Sequence, residues 1–600
     1  MAQEKANVAF DDASMPVWNL DDLYPGMESD ELAADLKASV DDAVAFETNW
    51  KGKLPTALSN GKLGSLIAEF ESLQDRLGRI ASYAGLLYAG DTSDPIRGKF
   101  YGDIQQKLTD ISRHLLFFGL ELNRIEADKL EAGYADDPDL ARYKPWLRDL
   151  RLEKPYQLED QLEELFQEKA LTSSAAFNRL FDETMVALRF TVDGEEMTAE
   201  PTFNLLQDQD RKRRKGAFDA LVDTFSGHMQ TFTLITNTLA KDKEIEDRWR
   251  GFADVADGRH LANRVEREVV DALVASVSGS FERISHRYYG LKAKWLGLDK
   301  LQAWDRNAPL PQTPDERIGW AEAQAIVLDA YSGFSPKMAD VAAQFFDKGW
   351  IDAPSRPGKA PGAFAHPTVP SAHPYVLVNY LGKPRDVMTL AHELGHGVHQ
   401  VMAAEQGALM ASTPLTLAET ASVFGEMLTF QSLLAKTEDK ATRKAMLAQK
   451  AEDMINTVVR QIAFYNFERK VHLARREGEL TTGDLNAHWL SVQGDSLGPH
   501  VALNEGYETF WCYIPHFIHS PFYVYAYAFG DCLVNSLYAV YQGADGGFQD
   551  AYFDMLRAGG SKHHSELLAP FGLDATDPGF WNKGLSVIEG IIDELEAMEN

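Results

Sequence analysis

The sequence predicts a mainly α-helical fold divided into two lobes. Its 600 residues are too many for one hydrophobic core. Apolar side chains recur every three or four positions over long stretches, which is typical of amphipathic helices. One such stripe consists of Leu66, Phe70, Leu73, Leu77, Ile80, Ala84 and Leu87. We expect an N-terminal helical lobe over residues 1–200 and a second domain over residues 201–600.

In chain order, the periodicity predicts helices separated by turns that contain Pro and Gly. They cover residues 29–140, 157–183, 211–249, 265–296, 314–332, 436–477 and 484–493. Residues 190–198 form the clearest hairpin, because Asp193-Gly194 suits a two-residue turn with positive φ. The apolar stretch 522–541 is interrupted by Asp531 and Asn535, so we interpret it as a core helix and not as a membrane span.

Composition restricts the partners and the compartment. Hydrophobic residues make up 45% of the chain and charged residues 25%, which is ordinary for a soluble globular protein. The net charge of −31 disfavours nucleic acid and anionic membranes as partners. Cys512 and Cys532 alone cannot build a disulfide framework, and the N-terminus lacks a signal-peptide pattern. The sequence therefore predicts a cytoplasmic protein and leaves its oligomeric state open.

The strongest chemical signal is the pattern H-E-x-x-H, present as His392-Glu393-Leu394-Gly395-His396. Residues four apart lie on one face of a helix, so the two imidazoles can be directed at one Zn²⁺ ion. Glu393 can then take a proton from a water molecule on that metal. The alternative is a surface helix that carries two histidines by chance. A third ligand distinguishes the two, because catalytic zinc needs three protein ligands and one open position.

The third ligand must lie outside the motif. A histidine six residues after the second is excluded, because position 402 is Met. His399 is too close in phase, and we interpret it as a packed or supporting residue. Glu419 and Glu426 share a helix face, and an acid on a small apolar face is costly to bury unless it is paired or binds metal. We predict Glu419 as the ligand and Glu426 as a partner of a ligand histidine. Glu405, in a polar loop, is the weaker alternative.

The segment HELGHGVHQ (392–400), followed by LAETASVFGE (417–426), resembles the oligoendopeptidase F branch of the thimet-oligopeptidase-like zinc metallopeptidases. The resemblance continues in shorter segments at 18–25, 374–380, 514–517 and 523–527. It implies a two-lobed helical metallopeptidase with a small β element beside the active-site helix and a deep substrate channel. It further implies one Zn²⁺ per chain and no other cofactor.

The resemblance also implies roles for residues outside the motif. His516 and Tyr527 are expected to stabilise the oxyanion of the tetrahedral intermediate, with Tyr523 and Tyr525 as further candidates; which tyrosine holds the oxyanion stays open. Residues 376–380 are expected to form an edge strand that binds an extended peptide by strand addition. Lys359, in the preceding loop, is a weaker candidate for substrate contact.

The predicted function is zinc-dependent hydrolysis of short oligopeptides at internal bonds, by attack of a metal-bound water with Glu393 as general base. One alternative is a carboxypeptidase-like zinc exopeptidase on the same scaffold, which a cationic anchor for the peptide carboxylate near the site would favour. The other is a non-enzymatic helical protein that binds peptides and carries the motif by coincidence.

Overall fold

The structure is a computed structural model that describes residues 15–310, 317–544 and 546–599. Within these residues most of the chain is helical, and the strands are short, which confirms the predicted mainly α fold. The start of the helix predicted at residues 314–332 lies outside the described residues. No described helix combines the length and the apolar run needed to cross a bilayer.

Residues 15–154 contain a series of helices linked by short turns. These are α1 (Asp30–Trp50), α2 (Leu54–Ser59), α3 (Leu63–Gly90), α4 (Pro95–Ser112), α5 (Leu116–Arg124), α6 (Ala127–Asp136), α7 (Pro138–Arg142) and α8 (Lys144–Leu150). The next helices are α9 (Asp160–Ala170), α10 (Ser174–Ala187), α11 (Ala199–Asn204), α12 (Arg211–Arg250), α13 (Asp257–Ala262), α14 (Arg267–Ser278) and α15 (Arg287–Trp295). A π-helical segment, Glu282–His286, interrupts the helix predicted over 265–296.

The next helices include the one that contains the H-E-x-x-H motif. They are α16 (Trp320–Phe334), α17 (Pro336–Asp347), α18 (Pro384–Ala403), α19 (Leu415–Ala418) and α20 (Ser422–Lys436). The remaining helices are α21 (Lys440–Thr457), α22 (Val459–Glu477), α23 (Thr482–Leu497), α24 (His516–His519), α25 (Tyr525–Gln542), α26 (Phe548–Arg557), α27 (His564–Leu568) and α28 (Pro578–Ala597). Buried residues line most of α25, which confirms the predicted core helix.

The chain divides into two compact units, each assembled from three separate segments. The first unit comprises the described parts of Met1–Lys154, Asp315–Lys436 and Gly543–Gly572. The second comprises those of Pro155–Pro314, Thr437–Gln542 and Leu573–Asn600. This division differs from the expected boundary near residue 200, because helices distant in sequence pack into the same unit.

Aromatic packing forms the core of the N-terminal part of the first unit. The rings of Phe46, Phe70 and Phe118 lie 4.7–6.0 Å apart, within the range of favourable edge and tilted contacts. They join α1, α3 and α5. The buried residues of the predicted stripe on α3 include Leu66, Leu73, Leu77, Ile80 and Ala84.

Seven strands form three small sheets within the described residues. The strands are β1 (Phe190–Val192), β2 (Glu195–Met197), β3 (Leu301–Gln302), β4 (Ile351–Pro354), β5 (Phe364–His366), β6 (Tyr375–Tyr380) and β7 (Val501–Ala502). β1 and β2 form the predicted hairpin, with φ of 52° at Asp193 and 85° at Gly194. β3 pairs with β7 in parallel.

The three-stranded sheet corrects the predicted substrate strand. Its order is β4-β6-β5, so β6 is the central strand and the prediction that residues 376–380 form an edge is wrong. All of β6 except Asn379 is buried, and a continuous apolar run is typical of a strand covered on both faces. The edge strand β5 runs antiparallel to β6 and contacts α18.

Lys359 stabilises the three-stranded sheet. Its ammonium group pairs with the buried carboxylate of Asp352 at 2.8 Å and donates to the carbonyl oxygens of Val378 (2.6 Å), Pro354 (2.9 Å) and Asp352 (3.0 Å). These contacts use the donors of the side chain within the sheet. Lys359 is therefore not placed to contact substrate, contrary to the weaker expectation above.

Candidate metal centre

Helix α18 carries the H-E-x-x-H residues. It begins with a proline, a favoured first helical residue, and Asp386 Oδ2 accepts the backbone N–H groups of Lys383 (3.0 Å) and Leu381 (2.9 Å). One face of the helix is anchored by fully buried apolar residues, namely Val387, Leu390, Ala391, Leu394 and Val398. His392 and His396 lie half-buried beside that face.

Two glycines allow close packing around α18. A Cβ atom on Gly395 would lie only 2.3 Å from the carbonyl oxygen of Ala421, which immediately precedes α20. A Cβ atom on Gly425 of α20 would lie 2.3 Å from the hydroxyl oxygen of Tyr331. That hydroxyl donates a hydrogen bond to the carbonyl oxygen of Ala391 at 2.5 Å. The α18 backbone therefore touches the segment that contains residue 419.

Glu419 follows α19 and faces both motif histidines. Its Oε2 atom lies 3.3 Å from His392 Nε2 and 3.5 Å from His396 Nε2. The Ser422 hydroxyl donates to the same oxygen at 2.7 Å and fixes the carboxylate. One ligand atom from each of the three residues lies within 4.8 Å of the other two. The structure thus brings together the two predicted histidines and the predicted third ligand.

The separations match the size of a tetrahedral zinc site. Zinc binds imidazole nitrogen and carboxylate oxygen at about 2.0–2.2 Å. In a tetrahedron with such bonds, two ligand atoms are about 3.3–3.6 Å apart. The observed nitrogen–oxygen separations of 3.3 and 3.5 Å fall in that range. Two imidazoles and one carboxylate also leave one of four positions open, which is the donor set of a catalytic zinc.

Glu426 orients one of the histidines. Its Oε2 atom lies 3.3 Å from His392 Nδ1, on the opposite side of the ring from Glu419. When Nδ1 donates its hydrogen to this carboxylate, Nε2 presents a lone pair to the group that includes Glu419. This arrangement agrees with the predicted supporting role of Glu426.

The electrostatics of the centre favour a bound cation. Burial lowers the pKa of His392, but its hydrogen bond to Glu426 and the charge of Glu419 outweigh burial and raise that pKa to about 9. Burial lowers the pKa of His396 to about 4. Burial and the charge of Glu419 raise the pKa of Glu393 to about 7, against the opposing charge of His392. Carboxylates crowded around the imidazoles create a negative site that a divalent ion can neutralise.

The two other candidate ligands lie elsewhere. Glu405 is exposed in the 3₁₀ segment Ala404–Gln406 and is not part of the group. His399 is buried, and its Nε2 atom lies 3.3 Å from the Thr413 hydroxyl. This agrees with the interpretation of His399 as a packed or supporting residue.

The predicted oxyanion cluster lies in the second unit. His516 Nε2 is 3.1 Å from the Tyr527 hydroxyl, and the rings of His516 and Tyr523 stack at 5.9 Å. Tyr527 is 37% exposed, so its hydroxyl group is on an accessible surface. These residues form a polar pair, His516 and Tyr527, flanked by the ring of Tyr523.

Comparison with known families identifies the chain. The model of peptidase family M3 matches residues 204–587, and that of oligopeptidase F matches residues 121–190. The chain belongs to peptidase family M3. It is therefore a metalloendopeptidase, and the substrates of this M3 peptidase are peptides. Family membership excludes the alternative of a non-enzymatic peptide-binding protein.

Relatives align with almost all of this M3 peptidase. Oligopeptidase PepF of Bacillus subtilis is 27% identical over 615 residues, covering 100% of this chain and 90% of the relative. Group B oligopeptidase PepB of Streptococcus agalactiae is 26% identical over 590 residues, covering 96% of each. A solved structure from Chlamydophila abortus superposes with a TM-score of 0.84 at 23% identity, covering 97% of this chain and 98% of that chain. Oligoendopeptidase-F from Enterococcus faecium gives 0.67 at 21% identity, covering 97% and 99%.

Tyr525 of the M3 peptidase has a different position from the other late tyrosines. It is fully buried, and its hydroxyl accepts a hydrogen bond from Asn263 Nδ2 at 2.8 Å and lies 3.2 Å from His260 Nδ1. A hydroxyl group held in this way inside the second unit is not available to a substrate. The burial of Tyr525 therefore disfavours it among the oxyanion candidates and favours a supporting position.

Sequence reasoning missed the residues that allow the metal centre of this peptidase to assemble. Gly395 and Gly425 were not recognised, although a glycine inside a helix costs about 1 kcal/mol relative to alanine and often has a packing reason. Their positions within helical patterns were the available signal. The backbone N–H of Ala365, in β5, also forms a hydrogen bond to Glu393. No sequence pattern indicates that contact, because it depends on how β5 packs against α18.

Proposed function

We propose that this M3 peptidase is a zinc-dependent endopeptidase that hydrolyses short oligopeptides. The observation that carries the proposal is the convergence of His392, His396 and Glu419 on one point at separations suited to tetrahedral zinc. One Zn²⁺ per chain would be held by these three side chains. When bound, zinc supplies Lewis-acid chemistry by polarising the scissile carbonyl and lowering the pKa of a coordinated water to about 7.

Glu393 is the proposed general base. It directly follows His392 in the helical turn between the two ligand histidines, is mostly buried, and has a pKa raised to about 7 by burial. Such a carboxylate accepts the proton of the attacking water as the oxygen–carbon bond forms. It then donates that proton to the leaving amine as the carbon–nitrogen bond breaks. The Ala365 N–H hydrogen bond holds the carboxylate in place.

His516 and Tyr527 are the proposed donors to the oxyanion. The hydroxyl group of Tyr527 and the ring nitrogen of His516 lie 3.1 Å apart on an accessible surface, and burial lowers the pKa of His516, which favours its neutral form. Neutral donors that meet developing negative charge each contribute about 2.7–4 kcal/mol. Tyr523, whose ring stacks on His516, is proposed to hold that histidine in position.

We also propose that the peptide substrate adds to β5. This strand is half-buried and is an edge of the described sheet, so an extended chain can compete there for the Ala365 backbone groups that Glu393 and Gln400 bind. β5 also contacts α18 through the hydrogen bond from Gln400 Nε2 to the carbonyl oxygen of Ala365, at 3.2 Å. A peptide on this edge would run beside the helix that carries Glu393.

The proposed compartment is the cytoplasm. Cys512 and Cys532 are both buried and unpaired, which suits a reducing environment. Recovery of the active enzyme from outside the cell, with Cys512 and Cys532 oxidised, would contradict this placement.

The experiment that tests the proposal combines metal analysis with a Glu393→Gln variant. We expect one zinc per chain in both proteins, and a kcat for Glu393→Gln about 10²–10⁴-fold below wild type on quenched-fluorescent peptides. Glu405→Gln, an exposed acid outside the site, is the matched control and should retain full activity. Absence of zinc, or equal kcat in Glu393→Gln and wild type, would refute the proposal.

Peptides of graded length with both termini blocked distinguish internal from terminal cleavage. An endopeptidase cleaves these substrates, whereas an exopeptidase that needs a free carboxylate does not. Mass spectrometry of the products identifies the bond. Cleavage restricted to peptides with a free C-terminus would favour the carboxypeptidase-like alternative.

A further inference from the structure

A cavity of about 190 Å³ lies within the second unit and has taken no part in the proposed mechanism. Its walls combine aromatic rings with polar groups. Phe218 stacks on Phe510 with ring centroids 5.4 Å apart, and Phe203 lies 4.5 Å from Tyr513. Two arginines, Arg306 and Arg460, also line the cavity, and no described carboxylate does. This combination is typical of a site for an organic anion.

Arg306 keeps unused donors at the cavity. The one described hydrogen bond from its guanidinium group runs from Nε to Asn307 Oδ1 at 3.3 Å. Among the described residues, neither terminal nitrogen of Arg306 has a hydrogen-bond partner. A guanidinium group presents five N–H donors in a planar fork, so four of them remain for a ligand.

Arg460 is held by contacts with two aromatic residues but also has a donor without a hydrogen-bond partner. Its Nη2 atom donates to the Tyr513 hydroxyl at 3.2 Å, and its guanidinium carbon lies 4.9 Å from the ring centroid of Phe464. Its Nε atom is buried without a partner. The Tyr513 hydroxyl links this arginine to the aromatic wall formed with Phe203. These contacts hold the guanidinium group of Arg460 at the cavity.

Asp305, next to Arg306 in the chain, and Glu452, whose charge acts on Arg306, are already paired with other cations. Asp305 accepts from Arg211 and Arg214, at 2.8 and 3.0 Å. Glu452 accepts from Lys292 at 2.7 Å and from the Tyr288 hydroxyl at 2.8 Å. No described carboxylate forms an ion pair with either cavity arginine. A partly enclosed cation without a counter-ion is costly, and an anionic ligand would remove that cost.

We propose that this cavity binds the free C-terminal carboxylate of a short peptide, with the terminal side chain against the aromatic wall. The established activity supplies this ligand, because each hydrolysed peptide bond yields a new carboxylate. An apolar wall beside two guanidinium groups favours a carboxylate attached to an apolar side chain over a small inorganic anion. The inference uses only the family activity and does not depend on the assignment of zinc ligands.

The probe is N-acetyl-L-phenylalanine, which carries the carboxylate and an aromatic side chain. Isothermal titration calorimetry should show that the acid binds the wild-type enzyme at least about tenfold more tightly than N-acetyl-L-phenylalanine amide, since the amide lacks the charge. Arg306→Gln and Arg460→Gln should each weaken binding of the acid by about tenfold or more. Arg248→Gln, on the exposed side of α12 and paired with Glu244, is the matched control and should bind as wild type does.

Hydrogen–deuterium exchange locates the ligand without any variant. The acid should slow exchange in residues 203–207 and 303–307, and the amide should not. Equal affinities for acid and amide, unchanged affinity in Arg306→Gln, or protection elsewhere with none in these segments would each overturn the proposal. Inorganic phosphate that competes as strongly as the acid would also overturn it, because the cavity would then select charge alone.

Discussion

The metal centre and the His516–Tyr527 pair are supported in different ways. At the metal centre, the residues that would bind the ion also contact one another, with Glu419 Oε2 within 3.5 Å of both histidine Nε2 atoms. At the late pair, the accessible groups share one hydrogen bond of 3.1 Å. The neighbouring Tyr525 is buried, and its hydroxyl group is held separately by Asn263.

Function and stability are separable to different degrees in these two regions. In the metal centre, the side chains proposed to bind the ion also contact one another. A substitution there is therefore expected to change both metal binding and local structure. In the late cluster, the exposed hydroxyl group of Tyr527 has the proposed chemical role, whereas the buried hydroxyl group of Tyr525 has a structural role. Substitutions in the late cluster should therefore affect either turnover or stability, and seldom both.

The largest expected effect is loss of the third ligand. Glu419→Ala removes the carboxylate that completes the site, so we expect zinc affinity to fall by more than about 100-fold and activity to disappear. Glu405→Ala changes an exposed acid of the same unit and should retain zinc and activity. Zinc content after dialysis against a competing chelator measures the difference. Equal retention of zinc by the two variants would show that the third ligand is another residue.

The two tyrosines of the late cluster provide the next comparison. Tyr527→Phe removes an accessible donor, so kcat should fall about 10²–10³-fold while zinc content and the melting temperature stay near wild type. Tyr525→Phe leaves Asn263 without its buried acceptor, so the free energy of unfolding should fall by about 1–3 kcal/mol with kcat little changed. Steady-state kinetics and thermal melting of both variants make the test. The opposite pattern would reverse the roles assigned to these residues.

The residues proposed for the metal centre could be predicted from the sequence because their arrangement is local. Four-residue spacing on a helix places His392 and His396 on one face, and the cost of burying an acid identifies Glu419. The helical class followed from periodicity for the same reason. These inferences need only the geometry of one or two adjacent helices.

Features that depend on distant contacts could not be predicted. The sequence predicts an edge strand at residues 376–380, but it does not show which strands pair with that segment. In the structure β6 is the central strand. The two units are discontinuous because helices far apart in the chain pack together. Arg306 and Arg460 are unremarkable in sequence, and only folding places both at one cavity.

Gly395 offers a way to perturb the metal centre without changing a ligand. A Cβ atom at this position would meet the carbonyl oxygen of Ala421 at 2.3 Å, so Gly395→Ala must move α18 away from the segment that contains Glu419. We expect a loss of about 1–3 kcal/mol in unfolding free energy together with weaker zinc binding. Gly102→Ala, in α4 with nothing within 4 Å of its Cβ position, should stabilise by about 1 kcal/mol. Unchanged zinc affinity in Gly395→Ala would show that this close packing does not position the ligands.

Glu468 tests the buried support of the late cluster. Its Oε1 atom accepts the backbone N–H of Phe522 at 2.7 Å, where φ is +62°, and its Oε2 atom is buried without a partner. Burial raises the pKa of Glu468 well above its ordinary value of 4.5, against the opposing charges of Arg259 and Lys243. Burial also lowers the pKa of the adjacent His472 to about 3, so that ring stays neutral while Glu468 titrates.

The raised pKa of Glu468 predicts that its stabilising contribution decreases as the pH rises. A carboxyl group whose pKa is higher in the folded protein takes up a proton on folding, so its stabilising contribution is complete below pH 4.5 and is lost as the pH rises towards the folded pKa. Glu468→Gln keeps the acceptor for Phe522 but cannot titrate. The difference in unfolding free energy between wild type and Glu468→Gln should therefore shift in favour of the variant as pH rises from about 5 to 8, by at most about 1.4 kcal/mol per pH unit. Denaturant unfolding of both proteins across this range measures that difference, and a difference that does not change with pH would mean that Glu468 is already ionised in the folded enzyme.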